Sequence, residues 1–202
     1  MSRRRPLIGV MGGGEGAPAA AIAMAEDLGA AITERGWALL SGGRPEGVMA
    51  AACRGARRVE GHLVVGVLPG DGRGHERQHT AELDLALFTG MGQARNLINV
   101  LSADLVVVCG AGGAGTASEA AHAIKAGRPL VLLAVPPLWR EFFCSLSPAV
   151  QSTEAVDDCC ALIAVHLQRD RTQAALAPQR PCNQAFCRCR PARRGSAMAA
   201  RC

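Results

Sequence analysis

Short, unalternating, β-branched apolar runs separated by helical stretches predict a doubly wound α/β fold, a parallel sheet with helices on both faces. Two further observations agree. Glycine-rich turns at 12–14, 42–43 and 112–115 each follow an apolar run, and such sheets bind ligands at the carboxyl ends of their strands. The chain of 202 residues is 49% apolar, which suits one domain with a substantial core.

In chain order, Leu7–Met11 reads as the first strand, followed by a glycine turn and an alanine-rich helix from about Pro18 to Arg35. Trp37–Leu40 is the second strand, and a helix from about Pro45 to Arg57 follows Ser41-Gly42-Gly43. Leu63–Leu68 is the third strand, closed by Pro69-Gly70, and Leu85–Phe88 a short fourth before a helix from about Gln93 to Leu101. Leu105–Cys109 and Leu130–Val135 bracket a helix over Ala117–Ala126, and Ser152-Thr153-Glu154 opens a last helix to about Leu167. The expected architecture is a Rossmann-like sheet of about six to seven strands, with right-handed crossovers. Residues 1–169 form the domain. From Asp170 onward Pro178, Pro181 and Pro191 interrupt any period, and 170–202 is expected to be a disordered tail.

The net charge of +5 belongs to that tail, which holds seven Arg and one Asp. Residues 1–169 carry 15 basic and 16 acidic side chains, and the chain has no Tyr, which argues against nucleic acid as a partner. The longest apolar run, Pro129–Leu138, is broken by Pro136 and Pro137 and is too short to span a membrane. Arg3-Arg4-Arg5 mimics the start of a signal peptide, but the apolar run behind it is short and ends in Gly12-Gly13-Gly14. Nine cysteines, an odd number without an export signal, suggest reduced thiols and a cytoplasmic protein. Cys182, Cys187 and Cys189 lack zinc-site spacing, and no metal is expected.

The most informative segment is Gly112-Gly113-Ala114-Gly115-Thr116-Ala117-Ser118-Glu119, a glycine turn between a strand and a helix. Glycines let backbone N–H groups approach an anion, and the helix start adds unpaired donors and partial positive charge. Glu119 would repel a phosphate, so it is suited to the sugar beside one. Thr116-x-x-Glu119 equally fits a capping box. The loop Gly9–Gly16 has dinucleotide-like glycine spacing, but the second strand ends without the acid that holds a ribose diol, which argues against a dinucleotide. His75-Glu76-Arg77-Gln78-His79 spells HExxH, yet flanking glycines and the missing apolar stripe make it a surface loop rather than a zinc site. Arg95, at the start of the fourth helix, either offers a fork to an anion or is simply an exposed helix-start residue.

Three segments together resemble the LOG-type family of Rossmann proteins, formerly often labelled lysine decarboxylases. The family's PGGxGTxxE is matched at 112–119, with Ala111 in place of the Pro. Gly42-Gly43-Arg44-Pro45-Glu46-Gly47-Val48-Met49 is similar to its GGG-x-x-G-L-M segment. Gly90–Asn96 is less similar to its M-H-x-R-K segment: Arg95 lies one residue farther on, and Gly92 and Asn96 replace the His and Lys. The resemblance covers about 7–168 and is nearest to a bacterial branch that includes molybdenum-cofactor carrier proteins.

This resemblance implies hydrolysis of a nucleoside 5′-monophosphate to free base and ribose 5-phosphate, with no cofactor required. Gly112, Gly113, Gly115 and Thr116 would hold the phosphate, Glu119 would stabilise the cationic sugar, and Arg95 would help the base depart. Gly12, Gly13, Gly42, Gly43 and Met49 would complete the ligand crevice. The alternative it implies is a non-catalytic carrier of a nucleotide or molybdenum cofactor. In either case a homodimer is expected, with helices near the site packed across the two-fold.

Overall fold

The computed structural model describes residues 4–73, 79 and 81–176. Seven strands form one sheet: β1 Leu7–Gly12, β2 Ala38–Ser41, β3 Val64–Leu68, β4 Leu85–Phe88, β5 Leu105–Cys109, β6 Leu130–Leu133 and β7 Gln151–Thr153. Their order is β4-β3-β2-β1-β5-β6-β7, and every neighbouring pair is parallel. β1 and β5 run side by side in register from Ile8 opposite Leu105 to Gly12 opposite Cys109. The chain winds outward in one direction from β1 and in the other from β5, so the topological switch point, where sheets of this kind bind ligands, lies between these two strands.

Six helices cover the sheet: α1 Ala19–Glu34, α2 Gly47–Arg57, α3 Arg95–Ser102, α4 Ala114–Lys125, α5 Pro137–Leu146 and α6 Val156–Leu176. α1, α2 and α6 bury Leu28, Ile32, Ala52 and Ile163 against one face, where Ile8, Leu39 and Val107 point toward them. α3, α4 and α5 bury Val100, Ala120 and Phe143 against the other, over Met11, Leu40 and Val106. The central strands are buried on both faces, which is why they read as unbroken apolar runs rather than alternating ones.

Three expectations need correction. No helix was expected after Pro136-Pro137, but Pro137 occupies the first turn of α5, where an absent N–H costs no hydrogen bond. Ser152 and Thr153 belong to strand β7 rather than to a helix start, and the last helix begins at Val156. A three-residue strand buried only in part has too little apolar sequence to announce itself. α6 continues to Leu176, past its expected end near Leu167, and residues 177–202 of the expected tail lie outside the described residues.

Candidate functional site

The three glycine turns meet at the carboxyl ends of β1, β2 and β5. Gly12 ends β1, and a Cβ there would press on Val48 and on the Cys109 carbonyl, so the turn closes only over glycine. The Gly13 carbonyl accepts the Val48 N–H at 2.9 Å. Gly47, at φ 66°, brings the α2 start against the Gly13 and Gly14 carbonyls, an approach that a side chain would block. These contacts lock the first turn to the second.

The third turn feeds α4, whose N-cap is Gly113. Helix geometry leaves the N–H groups of Ala114, Gly115 and Thr116 without partners inside α4, at the positive end of the helix dipole. The helix starts three residues earlier than expected, so Thr116 lies inside its first turn and cannot cap it. Its hydroxyl instead donates to the Gly12 carbonyl at 3.0 Å, tying the third glycine turn to β1. Gly112 lies against Thr116, with no room for a Cβ between them.

Glu119 falls in the second turn of α4 and points across to α3, buried at 4% exposure. Its Oε1 accepts from Asn99 Nδ2 at 3.0 Å and from Arg95 Nη1 at 3.5 Å. No donor among the described residues reaches Oε2. Arg95 is equally buried and also donates from Nη1 to Asn96 Oδ1 at 2.6 Å. Asn96 in turn reaches Ser118 Oγ at 3.3 Å. The capping-box alternative for Glu119 is therefore replaced by a buried ion pair between α3 and α4.

Burial pushes the Glu119 carboxyl above its ordinary range, against the smaller opposing pulls of Asn99 and Arg95. Burial likewise lowers the Arg95 guanidinium, with the Glu119 charge opposing it and the Arg44 charge adding to it. Arg95 Nε and Asn99 Oδ1 are buried with no hydrogen-bond partner among the described residues. Unpartnered buried polar atoms are costly, and here both belong to the residues that bond the Glu119 carboxylate.

The site therefore gathers Arg95, Glu119, Gly112, Gly113, Gly115, Thr116, Gly12, Gly13, Gly42, Gly43 and Met49 around one sheet edge. A Cβ at Gly42 would lie 2.7 Å from Arg95 Nη2 and 2.8 Å from Met49 Sδ, so Gly42 exists there to seat the guanidinium. The exposed alternative for Arg95 fails because the added residue before it is absorbed in a 3-10 turn over Gly92–Ala94, entered through Gly90 and Gly92 at positive φ. Asn99 was missed. Its signal was present, since Arg95, Asn96 and Asn99 put a polar i, i+1, i+4 stripe on a helix whose other residues before Ser102 are apolar.

No cluster of three metal-ligating side chains occurs among the described residues, and His75–Gln78 of the HExxH run lie outside them. No helix among the described residues is long and apolar enough to cross a membrane.

Fold and site together define a Rossmann-like α/β protein with a glycine-rich turn opening a helix at its strand switch point. The SLOG cluster4 family model matches residues 5–165, and the chain belongs to that family. It is similar to the molybdenum cofactor binding protein from the phototrophic bacterium Rippkaea orientalis, at 41% identity, with a TM-score of 0.76 over 82% of this chain and 99% of that one. The molybdenum cofactor carrier protein of Chlamydomonas reinhardtii is 39% identical, with a TM-score of 0.75 over the same shares. An uncharacterized protein of Archaeoglobus fulgidus is 38% identical over 130 residues, 64% of this chain and 80% of its own length.

Proposed function

We propose that this chain binds and carries a phosphorylated pterin cofactor of the molybdenum-cofactor type, and that hydrolysis of a nucleotide is the second reading. The observation that favours this order is the burial of the Arg95 guanidinium, whose Nη1 is held by Asn96 and Glu119 inside the protein. The likeness to carrier proteins over 99% of their length supports the same order. The donor set fits such a ligand. The amides of Ala114, Gly115 and Thr116 suit a terminal phosphate, and Glu119 Oε2 suits the N–H donors of an aminopyrimidinone edge. Gly12, Gly13, Gly42, Gly43 and Met49 are the proposed walls of the crevice.

The hydrolase reading keeps one observation of its own. A buried carboxylate with one oxygen fixed and the other open beside a phosphate cradle could also stabilise a cationic sugar. The two readings separate in one experiment. Protein is mixed with molybdenum cofactor freshly released from a molybdoenzyme, gel-filtered and assayed for co-eluting molybdenum and pterin; a parallel sample receives AMP and is assayed for adenine. Retained metal and pterin with no adenine is the expected result. Adenine release that disappears in Glu119→Ala, with no cofactor retained, would reverse the order.

The assembly belongs to the same proposal: a homodimer whose two-fold passes beside α3. Leu97 and Leu101 stand exposed one turn apart there, on the helix that carries Arg95.

A further inference from the structure

Arg44 stands where the resembling family segment has its third glycine. Its loop is pinned at both ends. The Gly43 N–H donates to Ser41 Oγ at 3.0 Å, and the Val48 N–H donates to the Gly13 carbonyl. Gly42, two residues before Arg44, packs against the Arg95 guanidinium, so the loop borders the buried Arg95–Glu119 pair. The Arg44 side chain is exposed and makes no ion pair with any carboxylate of the described residues. Its positive charge adds to the burial that lowers the Arg95 guanidinium. Arg95 is already matched by Glu119. Among the described residues Arg44 is thus a cation without a carboxylate partner, on the loop that borders the Arg95–Glu119 pair and separate from the α4 amides.

We propose that Arg44 is a specificity-determining residue, holding a second anionic group of the ligand distinct from the phosphate at the start of α4. A metal–dithiolene end is such a group, whereas a nucleoside monophosphate has none. The proposal rests on the cofactor-binding reading and deepens it. An arginine there offers two parallel donors to oxo or thiolate acceptors, which a glycine cannot replace.

The test compares two ligands on the full chain: intact molybdenum cofactor, and the metal-free fluorescent pterin phosphate left when that cofactor is oxidised. Wild type is expected to hold the intact cofactor more tightly. Arg44→Gly is expected to weaken intact-cofactor binding about fivefold, the scale of one partly exposed ion pair, with pterin phosphate unchanged. Arg44→Lys is expected to keep most of the preference, and Arg44→Gln, which keeps the side-chain bulk, to lose it. Equal loss of both ligands, or loss of neither, overturns the proposal while leaving the carrier reading in place. A wild-type protein that binds neither ligand removes both.

Discussion

At the scale of single residues the molecule turns on Glu119 and the company it keeps. Replacing it by Ala would leave the Arg95 guanidinium buried without its counter-charge, an arrangement that costs about 3 kcal/mol. Urea denaturation of Glu119→Ala is expected to show a loss of that order. The sign of the pH dependence follows from burial. Because the folded carboxyl titrates above its unfolded value of 4.5, the folded state holds the proton more firmly than the unfolded one over that interval. Stability from this group is therefore greatest below 4.5 and falls as pH rises through the raised folded value. Glu119→Gln does not titrate at this position. The stability of wild type relative to Glu119→Gln is expected to decline as pH rises from 4.5 toward neutrality, and a flat or rising difference would show that the Arg95 and Asn99 donors outweigh burial.

At the scale of elements, helix α1 crosses α2 through glycines. A Cβ on Gly29 would run into the Ala52 carbonyl, and one on Gly55 into the Glu26 carbonyl, so these helices pack backbone to backbone. Alanine would gain about 1 kcal/mol of helix propensity at either position. Overpacking against a rigid backbone costs about 1–3 kcal/mol, and here no flexible side chain is available to yield, so the cost wins. Gly29→Ala and Gly55→Ala are each expected to lower the thermal midpoint, and an increase would mean that the helices can separate freely. The sequence made these helices and the five central strands legible, because strands buried on both faces must be continuously apolar. It also made legible that Glu119 and Arg95 come together, as their buried ion pair shows. It could not reveal the exact start of α4, since Gly112–Gly115 is as compatible with a loop as with a first turn. Hence Thr116 reads as a cap in sequence but is a tie to β1 in space. β7 and α5 stayed hidden for a related reason: a short edge strand and a helix opening on Pro137 lack the local patterns that reveal longer elements.

At the scale of the whole molecule, the folded unit is proposed to be self-sufficient without its basic end. The family match ends at residue 165, and α6 carries the chain to Leu176. A chain stopped after Leu176 is expected to keep its thermal midpoint and its cofactor retention, as scanning calorimetry and gel filtration would report. The two faces of this unit are unequally finished. Among the described residues, Val165 is the one exposed large apolar side chain from α1, α2 or α6. The opposite layer exposes Leu97 and Leu101 on α3, and Leu138, Phe142 and Leu146 on α5. A monomer gains nothing from such stripes, whereas a two-fold contact buries each of them twice. Only the α3 stripe lies on the helix that supplies Arg95, Asn96 and Asn99, so pairing there would also stiffen the site. Wild type is therefore expected to sediment as a dimer, and the double substitution Leu97→Glu with Leu101→Glu as a folded monomer, because two like charges would face their copies across the axis. A parallel variant, Leu138→Glu with Phe142→Glu, separates the stripes: a dimer that survives the α3 change but not this one moves the two-fold to α5.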